Sequence, residues 1–205
     1  MLFRKTIFAY NFYNLKKYAL IIVIVAGIIC GSGIAIYKIK YWSANDATII
    51  NGSWIGQNLT EVGTNRLLTA RIAVSALFAL HPKEVVYLIA QNDKDGNELT
   101  AENDYLIKGI PLDARYWSIT LYDENYFLVA NEDNRYSYNL YNVKYESDSS
   151  FIMHVSSKRK NKNWLPAKNK GKFYLAIRMY HPETSVYNHL NEITLPTIEK
   201  VYSNE

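Results

Sequence analysis

A run of twenty residues without a charge or a proline, residues 18–37, constrains this chain more than any other feature. At about 1.5 Å of rise per residue, a helix of this length spans the roughly 30 Å hydrocarbon core of a bilayer. The run contains seven isoleucines, one leucine and two valines, all of which favour insertion. The sequence therefore predicts a single transmembrane helix over residues 18–37.

The residues on either side of this run predict its orientation. The first 40 residues contain six of the 23 basic side chains and no acidic one, which leaves 17 basic against 19 acidic residues, a net charge of −2, in the remainder. Basic flanks tend to stay in the cytoplasm, and four basic residues precede the run while two follow it. We therefore expect residues 1–17 to be cytoplasmic and the C-terminal domain to lie outside the inner (cell) membrane, in a bacterial periplasm.

Two other interpretations of the N-terminus are disfavoured. A cleaved signal peptide has an apolar region of about 7 to 15 residues ending in small residues, whereas this run is longer and continues into "YKIKYW". Cys30, the only cysteine, lies deep in the run behind the bulky Ile29, which disfavours lipidation. With no second cysteine there is no disulfide, so the exported part depends on its core for stability.

Gly27 and Gly31 form a G-x-x-x-G pair inside the run. This spacing lets two membrane helices approach closely, although glycine is also frequent in membrane helices that do not associate. The lipid bilayer is thus the expected partner of residues 18–37, and a homodimer through Gly27 and Gly31 is a secondary hypothesis.

Residues 38–53 have the composition of a polar linker, and an apolar helix is predicted after them. The segment "TNRLLTARIAVSALFALHP", residues 64–82, begins at a capping Thr64 and ends at Pro82. Apolar residues nearly encircle its second half, so it must be covered on most sides. Arg66 and Arg71 disfavour a second membrane span, and we expect the helix to pack against a sheet.

From Glu84 onward, short strand-forming segments alternate with turn residues. Segments 85–91 and 104–109 flank "NDKDGNE", whose Asp95-Gly96 pair is a hairpin turn signal. The further segments are "YWSITLYD", "YFLVAN", "RYSYN", "FIMHVS", "FYLAIRMY" and "TIEKVY". Six to eight such strands predict a mainly β domain over residues 54–205, an antiparallel β-sandwich or jelly-roll-like fold with one packed helix.

The segment "FYLAIRMY" has two different faces. Side chains alternate along a strand, so one face carries Phe173, Leu175, Ile177 and Met179 and the other carries Tyr174, Ala176, Arg178 and Tyr180. The first set is typical of a core. The second is either a half-solvated outer face or the wall of a cleft.

A lysine-rich loop without acidic residues, residues 158–172, precedes this strand. A solvated loop is the favoured interpretation, and attraction to anionic lipid head groups is the functional alternative. We expect no nucleic-acid partner, because the net charge beyond the N-terminal segment is negative and the domain is predicted to be exported.

The sequence contains none of the common catalytic signatures. It has no G-x-S-x-G elbow, no H-E-x-x-H pair and no phosphate-binding loop outside the apolar run. Its four histidines, His81, His154, His181 and His189, do not have the spacing of metal ligands. We therefore expect neither a cofactor nor a metal site.

Four short motifs together resemble a known family. They are W-S-x-T-L-Y-D at 117–123, N-R-Y-S at 134–137, N-W-L-P at 163–166 and F-Y-L-x-x-R-x-Y at 173–180. In combination they resemble the bacterial domain of unknown function 1214, and the resemblance covers nearly all of residues 50–202. It implies a β-rich, jelly-roll-like fold and no established reaction.

Eight residues in or beside these motifs are candidates for ligand binding. They are Asn131, Arg135, Tyr136, Ser137, Asn163, Trp164, Arg178 and Tyr180. Two arginines with tyrosine and asparagine donors suit a carboxylate or phosphate group, which arginine binds in bidentate fashion. The same residues would equally fix loops onto a sandwich, with an arginine paired to Asp123 or Glu132.

Two functions from different classes are compatible with these features. The favoured one is a membrane-tethered binding or envelope-structural module that presents its β-sandwich to a small anionic ligand, glycan, lipid or envelope protein. The alternative is a cofactor-independent periplasmic enzyme, such as a hydrolase, with polar groups converging from segments 131–137 and 163–180. A nucleophile beside an ionisable group would distinguish the enzyme from the binding module.

Overall fold

The computed structural model describes residues 2–41, 48–57, 66, 69–70, 80–81 and 83–202, and within the first range it describes the side chains of 18–38. The chain divides into two compact units, residues 1–44 with 63–78 and residues 45–62 with 79–205. The first contains the long N-terminal helix, and the second contains every described strand.

The N-terminal helix, α1, covers Leu2–Tyr41 and includes the whole predicted span. Its segment Tyr18–Lys38 is the one described helix that is long and apolar enough to cross a membrane. The large apolar side chains of this segment are exposed, as a lipid-facing surface would be. By length and composition the segment suits a membrane anchor, and a signal sequence meets the same two criteria.

The second unit contains ten strands and one short helix among the described residues. The strands are β1 (Thr48–Asn51), β2 (Trp54–Gln57), β3 (Val85–Ala90), β4 (Asp104–Gly109), β5 (Ala114–Asp123), β6 (Ser137–Asn139), β7 (Phe151–Ser156), β8 (Trp164–Pro166), β9 (Phe173–Pro182) and β10 (Thr197–Val201). The helix, α2, covers Thr184–Asn188 and packs Val186 into the core.

The strands form two sheets. The six-stranded sheet has the order β1-β2-β3-β9-β5-β6 and is antiparallel throughout. The four-stranded sheet has the order β10-β4-β7-β8, and its β7 and β8 are parallel. The smaller sheet is therefore mixed, whereas the sequence predicted antiparallel pairing alone.

Aromatic contacts join the two sheets across one hydrophobic core. Trp117 of β5 stacks on Phe151 of β7 with 5.4 Å between ring centroids, and Tyr105 of β4 meets Phe173 of β9 edge-on at 5.5 Å. Each of these pairs takes one residue from each sheet, as packed sheets in a sandwich do. The predicted fold class, mainly β and sandwich-like, is thus confirmed.

The predicted alternation along β9 is also confirmed. Its core-facing residues are at most 2% exposed, and they are Phe173, Leu175, Ile177 and Met179. Of the other four, three are half-buried and Tyr180 is exposed. Because β9 lies between β3 and β5, its outer side chains are near the middle of the six-stranded sheet.

The predicted hairpin between segments 85–91 and 104–109 is wrong. Strand β3 belongs to the six-stranded sheet and β4 to the four-stranded sheet. The Asp95-Gly96 turn does form, with Gly96 at a φ of 86°, but it closes only a small loop bridged at Asn92 and Glu98. The Asp93 carboxylate accepts the backbone N–H groups of Asp95 and Asn97, so the turn is stabilised locally without pairing the two longer strands.

The predicted strand "YFLVAN" is wrong as well, since residues 126–131 form a turn and loop. The Asp123 carboxylate accepts the backbone N–H groups of Asn125 and Phe127 at 2.9 and 3.0 Å. This arrangement holds Tyr126 at a φ of 63° and leaves Phe127 69% exposed. The segment turns because the Asp123 side chain accepts backbone N–H groups that would otherwise pair with a neighbouring strand.

Two strands, β1 and β2, precede the first strand that the sequence predicted. They form a hairpin whose turn contains Gly52 at a φ of 60°. Of the predicted 38–53 linker, residues 48–51 therefore belong to the sheet and residues 38–41 belong to α1. Trp54 is 1% exposed and donates its indole N–H to the Pro196 carbonyl oxygen at 2.6 Å. Asn51 donates to the carbonyl oxygens of Leu190 and Ile193, which fastens the hairpin to the segment before β10.

The predicted helix over 64–82 lies largely outside the described residues. Arg66, Thr69 and Ala70 are helical. Its packing against a sheet stays a prediction.

The contact between Trp117 and Phe151 provides a test of the sandwich. We expect Phe151→Ala to lower the free energy of unfolding by about 3 to 5 kcal/mol, because a fully buried ring between the sheets is removed. The matched control is Phe127→Ala, the same change at an exposed ring, which should stay within about 0.5 kcal/mol of the parent. Urea unfolding of the full chain in detergent, followed by tryptophan fluorescence, measures both. Equal losses in the two variants would contradict the inter-sheet core.

Candidate functional site

Five strand tyrosines and one arginine lie on the outer side of the six-stranded sheet. The register places Tyr116 opposite Tyr180 and Tyr122 opposite Tyr174. On the other side of β9, Tyr87 of β3 lies opposite Arg178. We call this group the tyrosine face, and its members are Tyr87, Tyr116, Tyr122, Tyr174, Arg178 and Tyr180.

Arg178 is the only charged residue among the described outward-facing strand positions of this sheet. Its Nη1 donates to Thr120 Oγ1 at 3.2 Å, and its Nη2 donates to the hydroxyl of Tyr122. Its guanidinium carbon lies 5.4 Å from the centroid of the Tyr122 ring. These contacts hold the guanidinium in one orientation over the sheet.

No carboxylate within the described ranges forms an ion pair with Arg178. A guanidinium has five N–H groups, and the two hydrogen bonds to Thr120 and Tyr122 use two of them. A half-buried cation without a counter-ion attracts anions, since part of its hydration has already been lost. Arg178 is therefore suited to a carboxylate or phosphate group supplied by a ligand.

The hydroxyl of Tyr87 remains protonated at neutral pH. Burial raises the pKa of Tyr87, the neighbouring Tyr180 raises it further, and the charge of Arg178 opposes both effects. A protonated phenol donates a hydrogen bond to an anion. The tyrosine face thus combines one cation with a neutral donor.

Asn131 and Arg135 stabilise the loop between β5 and β6. Asn131 Nδ2 donates to the carbonyl oxygens of Val129 and Arg135 at 2.9 and 3.0 Å, and its Oδ1 accepts the backbone N–H of Arg135 at 2.9 Å. The guanidinium of Arg135 lies 5.0 Å from the centroid of Tyr138, which packs against the core. Arg135 therefore stacks on a ring on the core side of β6, whereas Arg178 lies on the outer side of β9.

Ser137 lies on the same side of the sheet as Arg178. It is paired with Thr120, the residue that accepts a hydrogen bond from Arg178. Tyr136, one residue earlier, accepts the Leu121 N–H at its carbonyl oxygen and donates its hydroxyl to Asn134. The structure thus brings Ser137, Arg178 and Tyr180 to one face, and Tyr136 serves the loop.

Asn163 fastens the loop before β8 to two other segments. It is 3% exposed and has a φ of 45°. Its Oδ1 accepts the Lys144 N–H at 2.8 Å, and its Nδ2 donates to the carbonyl oxygens of Lys144 and Ile152 at 2.7 and 3.0 Å. With three side-chain hydrogen bonds to the backbone, Asn163 has little capacity left for a ligand.

Trp164 lies on the edge strand of the other sheet, away from the tyrosine face. Its indole N–H donates to the Ser156 carbonyl oxygen at 2.9 Å, and the Arg159 guanidinium lies 5.6 Å from its ring centroid. Leu165 beside it is fully buried. The apolar residues inside the lysine-rich loop therefore form β8 and join the core. The eight candidate residues thus do not form one site, since some lie on the six-stranded sheet, one lies on the four-stranded sheet and the others lie in loops.

Most of the lysine-rich loop is paired with acidic residues from elsewhere in the chain. The ion pairs are Arg159–Asp133 at 3.0 Å, Lys160–Asp104 at 2.6 Å, Lys162–Glu146 at 2.6 Å, Lys168–Asp123 at 2.7 Å and Lys172–Glu98 at 2.6 Å. Asp123 is thus paired with a lysine and not with an arginine, and the hydrogen bond from Lys168 is the main cause that lowers the pKa of Asp123. These pairs neutralise charge that would otherwise attract an anionic surface.

The tyrosine face offers binding groups and no catalytic pair. The described outward-facing strand positions of the six-stranded sheet contain no His, Cys, Asp or Glu. His154 belongs to the other sheet, and burial lowers the pKa of His154, with Lys160 lowering it further and Asp104 opposing both. Among the described residues, no three metal-ligating side chains are grouped to hold an ion. The arrangement suits binding of an anion.

Sequence reasoning did not select several members of this face. Tyr87, Thr120 and Tyr122 contact or oppose Arg178, and none of them was a candidate residue. The signal was available in "YWSITLYD", where alternation puts Tyr116, Ser118, Thr120 and Tyr122 on one side. The sequence does not specify that this strand pairs with β9. That pairing brings the outward-facing residues of β5 beside those of β9.

The fold and the face define a two-sheet β-sandwich domain with a tyrosine-rich outer side and, within the described ranges, one arginine there without an acidic partner. Residues 84–184 match the family model described as Protein of unknown function (DUF1214). The match covers slightly less than half of the chain and confirms the resemblance carried by its motifs. No curated protein matches the chain.

Two solved structures are similar to this chain. The VPA0106 protein from Vibrio parahaemolyticus has a TM-score of 0.58 and 24% identity, over 66% of this chain and 35% of that one. A putative uncharacterized protein from Burkholderia cenocepacia has a TM-score of 0.41 and 13% identity, over 84% of this chain and 40% of that one. The first likeness shows a shared fold, and the chain spans well under half the length of either protein.

The role of Asn163 as a fastening residue can be tested by substitution. We expect Asn163→Ala to lower the free energy of unfolding by about 2 to 4 kcal/mol, because buried backbone groups lose their partners and alanine disfavours the left-handed backbone. Asn161→Ala, at an exposed position of the same loop, is the control and should change little. Midpoints of urea unfolding measure both, and a parent-like midpoint for Asn163→Ala would refute the role.

Proposed function

We propose that this chain is a membrane-tethered binding module whose exported β-sandwich binds an anionic group at Arg178. The observation that carries the proposal is an oriented, half-buried guanidinium with no acidic partner among the described residues. A carboxylate or phosphate would accept N–H groups from Arg178 and hydroxyl groups from the tyrosines beside it. Charge-assisted hydrogen bonds of this kind stabilise a complex more than neutral ones do.

Binding is favoured over catalysis by what surrounds the guanidinium. A nucleophilic mechanism needs a base within hydrogen-bond reach of the nucleophile. Ser118 and Thr120 lie near Arg178 and are almost fully buried residues, and no His, Asp or Glu accompanies them on the described outward-facing strand positions. The enzyme alternative has no observation in its favour.

Substitution of Arg178 tests the proposed site. We expect the full chain in lipid nanodiscs to bind galacturonate or inorganic phosphate, and Arg178→Ala to weaken binding by about tenfold to a hundredfold, because 1.5 to 3 kcal/mol of charge-assisted hydrogen bonding is lost. Arg178→Lys keeps the positive charge but lacks the planar guanidinium, so it should weaken binding less than Arg178→Ala does. Arg115→Ala, which removes the same charge at an exposed position, is the control.

Isothermal titration measures the affinities, and thermal unfolding confirms that each variant is folded. Binding that survives Arg178→Ala unchanged, or a parent chain that binds neither anion at high millimolar concentration, would refute the site.

The orientation of the chain in the membrane is a separate prediction. The basic flank before residue 18 and the apolar segment Tyr18–Lys38 support an uncleaved anchor with its N-terminus in the cytoplasm and its sandwich in the periplasm. Alkaline phosphatase fused after Glu205 should be active in intact bacteria, since it folds only on the periplasmic side. The membrane fraction should contain a chain of full length. A shortened, soluble chain would indicate a cleaved signal sequence, and an inactive fusion would indicate the opposite orientation.

A further inference from the structure

Aromatic rings occur at both ends of the tyrosine face. Tyr116 and Tyr180 lie opposite each other at one end, with ring centroids 5.9 Å apart, and Tyr122 and Tyr174 lie opposite each other at the other end. Tyr180 is six positions after Tyr174, which corresponds to about 20 Å along a strand. The face is thus elongated along β5 and β9.

Loops extend both aromatic ends. Tyr126, in the turn after β5, stacks on Tyr174 with 4.9 Å between centroids. At the other end, Tyr141 lies 5.9 Å from Tyr116 and is 79% exposed. Each end therefore has an exposed ring beside the strand pair.

Small side chains occupy the middle of the face. Ala176, Ser118 and Thr120 lie between the two tyrosine pairs in the register of β5 and β9. Ser118 and Thr120 are 7% and 6% exposed. The middle of the face therefore has small side chains between large rings, and the Arg178 side chain extends over it toward Thr120 and Tyr122.

This arrangement matches an extended sugar chain. A pyranose ring has an apolar C–H face that packs on an aromatic ring and an edge of hydroxyl groups that hydrogen-bonds to phenols. The single cation calls for a carboxylate on some of the sugars. Tyrosine also provides contact area with few rotatable bonds, so little conformational entropy is lost on binding.

Two other kinds of chain fit the face less well. An extended peptide binds sheets mainly by adding a strand to an edge, whereas β5 and β9 are paired on both sides. A nucleic acid needs several cations to neutralise its phosphates, and the described outward strand positions of this face contain one.

We infer that the tyrosine face binds an extended acidic polysaccharide, with Arg178 on a sugar carboxylate and the two tyrosine pairs on sugar rings to either side. The inference rests on the proposed function, since it names the class of ligand for the same site. Binding then depends on ligand length, because a monosaccharide reaches Arg178 but not both tyrosine pairs.

The test compares sugars of different length and charge on the full chain in lipid nanodiscs. We expect polygalacturonate oligomers to bind at least about tenfold more tightly than galacturonate, and dextran oligomers to bind more weakly than polygalacturonate. Tyr180→Ala should weaken oligomer binding about tenfold and should weaken galacturonate binding less, because a monosaccharide does not reach both tyrosine pairs. Tyr180→Phe keeps the ring and should retain most of the oligomer affinity.

The control is Tyr202→Ala, which removes an exposed tyrosine after β10, on the other sheet. Thermal unfolding shows which variants are folded, and if Tyr180→Ala unfolds, Tyr116→Ala tests the same end of the face.

Each outcome separates the inference from the proposed function. Galacturonate binding that requires Arg178, with oligomers no tighter, would overturn the polysaccharide and leave the anion site standing. If Arg178→Ala weakens oligomer binding while Tyr180→Ala and Tyr116→Ala do not, the oligomer is attracted by charge alone. That result would overturn the tyrosine contacts. A parent chain that binds none of the sugars, nor phosphate, would remove both.

Discussion

The alternation of side chains along β9 connects the core of the sandwich to its outer face. One set of residues, Phe173, Leu175, Ile177 and Met179, is fully buried between the sheets. The other set includes Arg178, which cannot change to the core side without a register shift that would expose those residues. Pairing with β3 on one side and β5 on the other surrounds it with tyrosines and Thr120. Burial of apolar area on one face thus orients the charge on the other.

Buried polar side chains connect the loops and strands by hydrogen bonds to the backbone. Asn163 satisfies backbone groups of Lys144 and Ile152, and Trp54 donates to Pro196. Each interaction joins separate segments of the chain and leaves few buried groups without partners. The indole N–H of Trp117 is the exception among the described residues, since it is buried without a hydrogen-bond partner. Asn163 and Arg178 both belong to motifs, but Asn163 is fully hydrogen-bonded to the backbone, whereas Arg178 has N–H groups left for a ligand. Membership of a motif therefore does not identify a ligand-binding residue.

Several elements of the fold were predictable from local pattern. Strands β4 and β7 begin and end where the alternating segments do, and β9 has the predicted core face. The Asn51-Gly52 turn signal between "TII" and "WIGQ" was also present, and it marks the hairpin that composition alone made look like a linker. The strand prediction for residues 126–131 was wrong because this apolar run resembles a strand. The preceding Asp123 carboxylate instead stabilises a turn by accepting backbone N–H groups.

The sequence by itself determined the apolar helix, the mainly β character of the domain and the faces of its longest strand, because each follows from composition and periodicity within a single segment. Tertiary structure decided which strands became neighbours, so it separated β3 from β4 and made β7 and β8 parallel. It also divided the eight candidate residues, leaving Arg178 among tyrosines and Asn163 within the backbone network of the other sheet. Strand order depends on contacts between residues distant in the chain, and no local pattern encodes which of many compatible edges will pair.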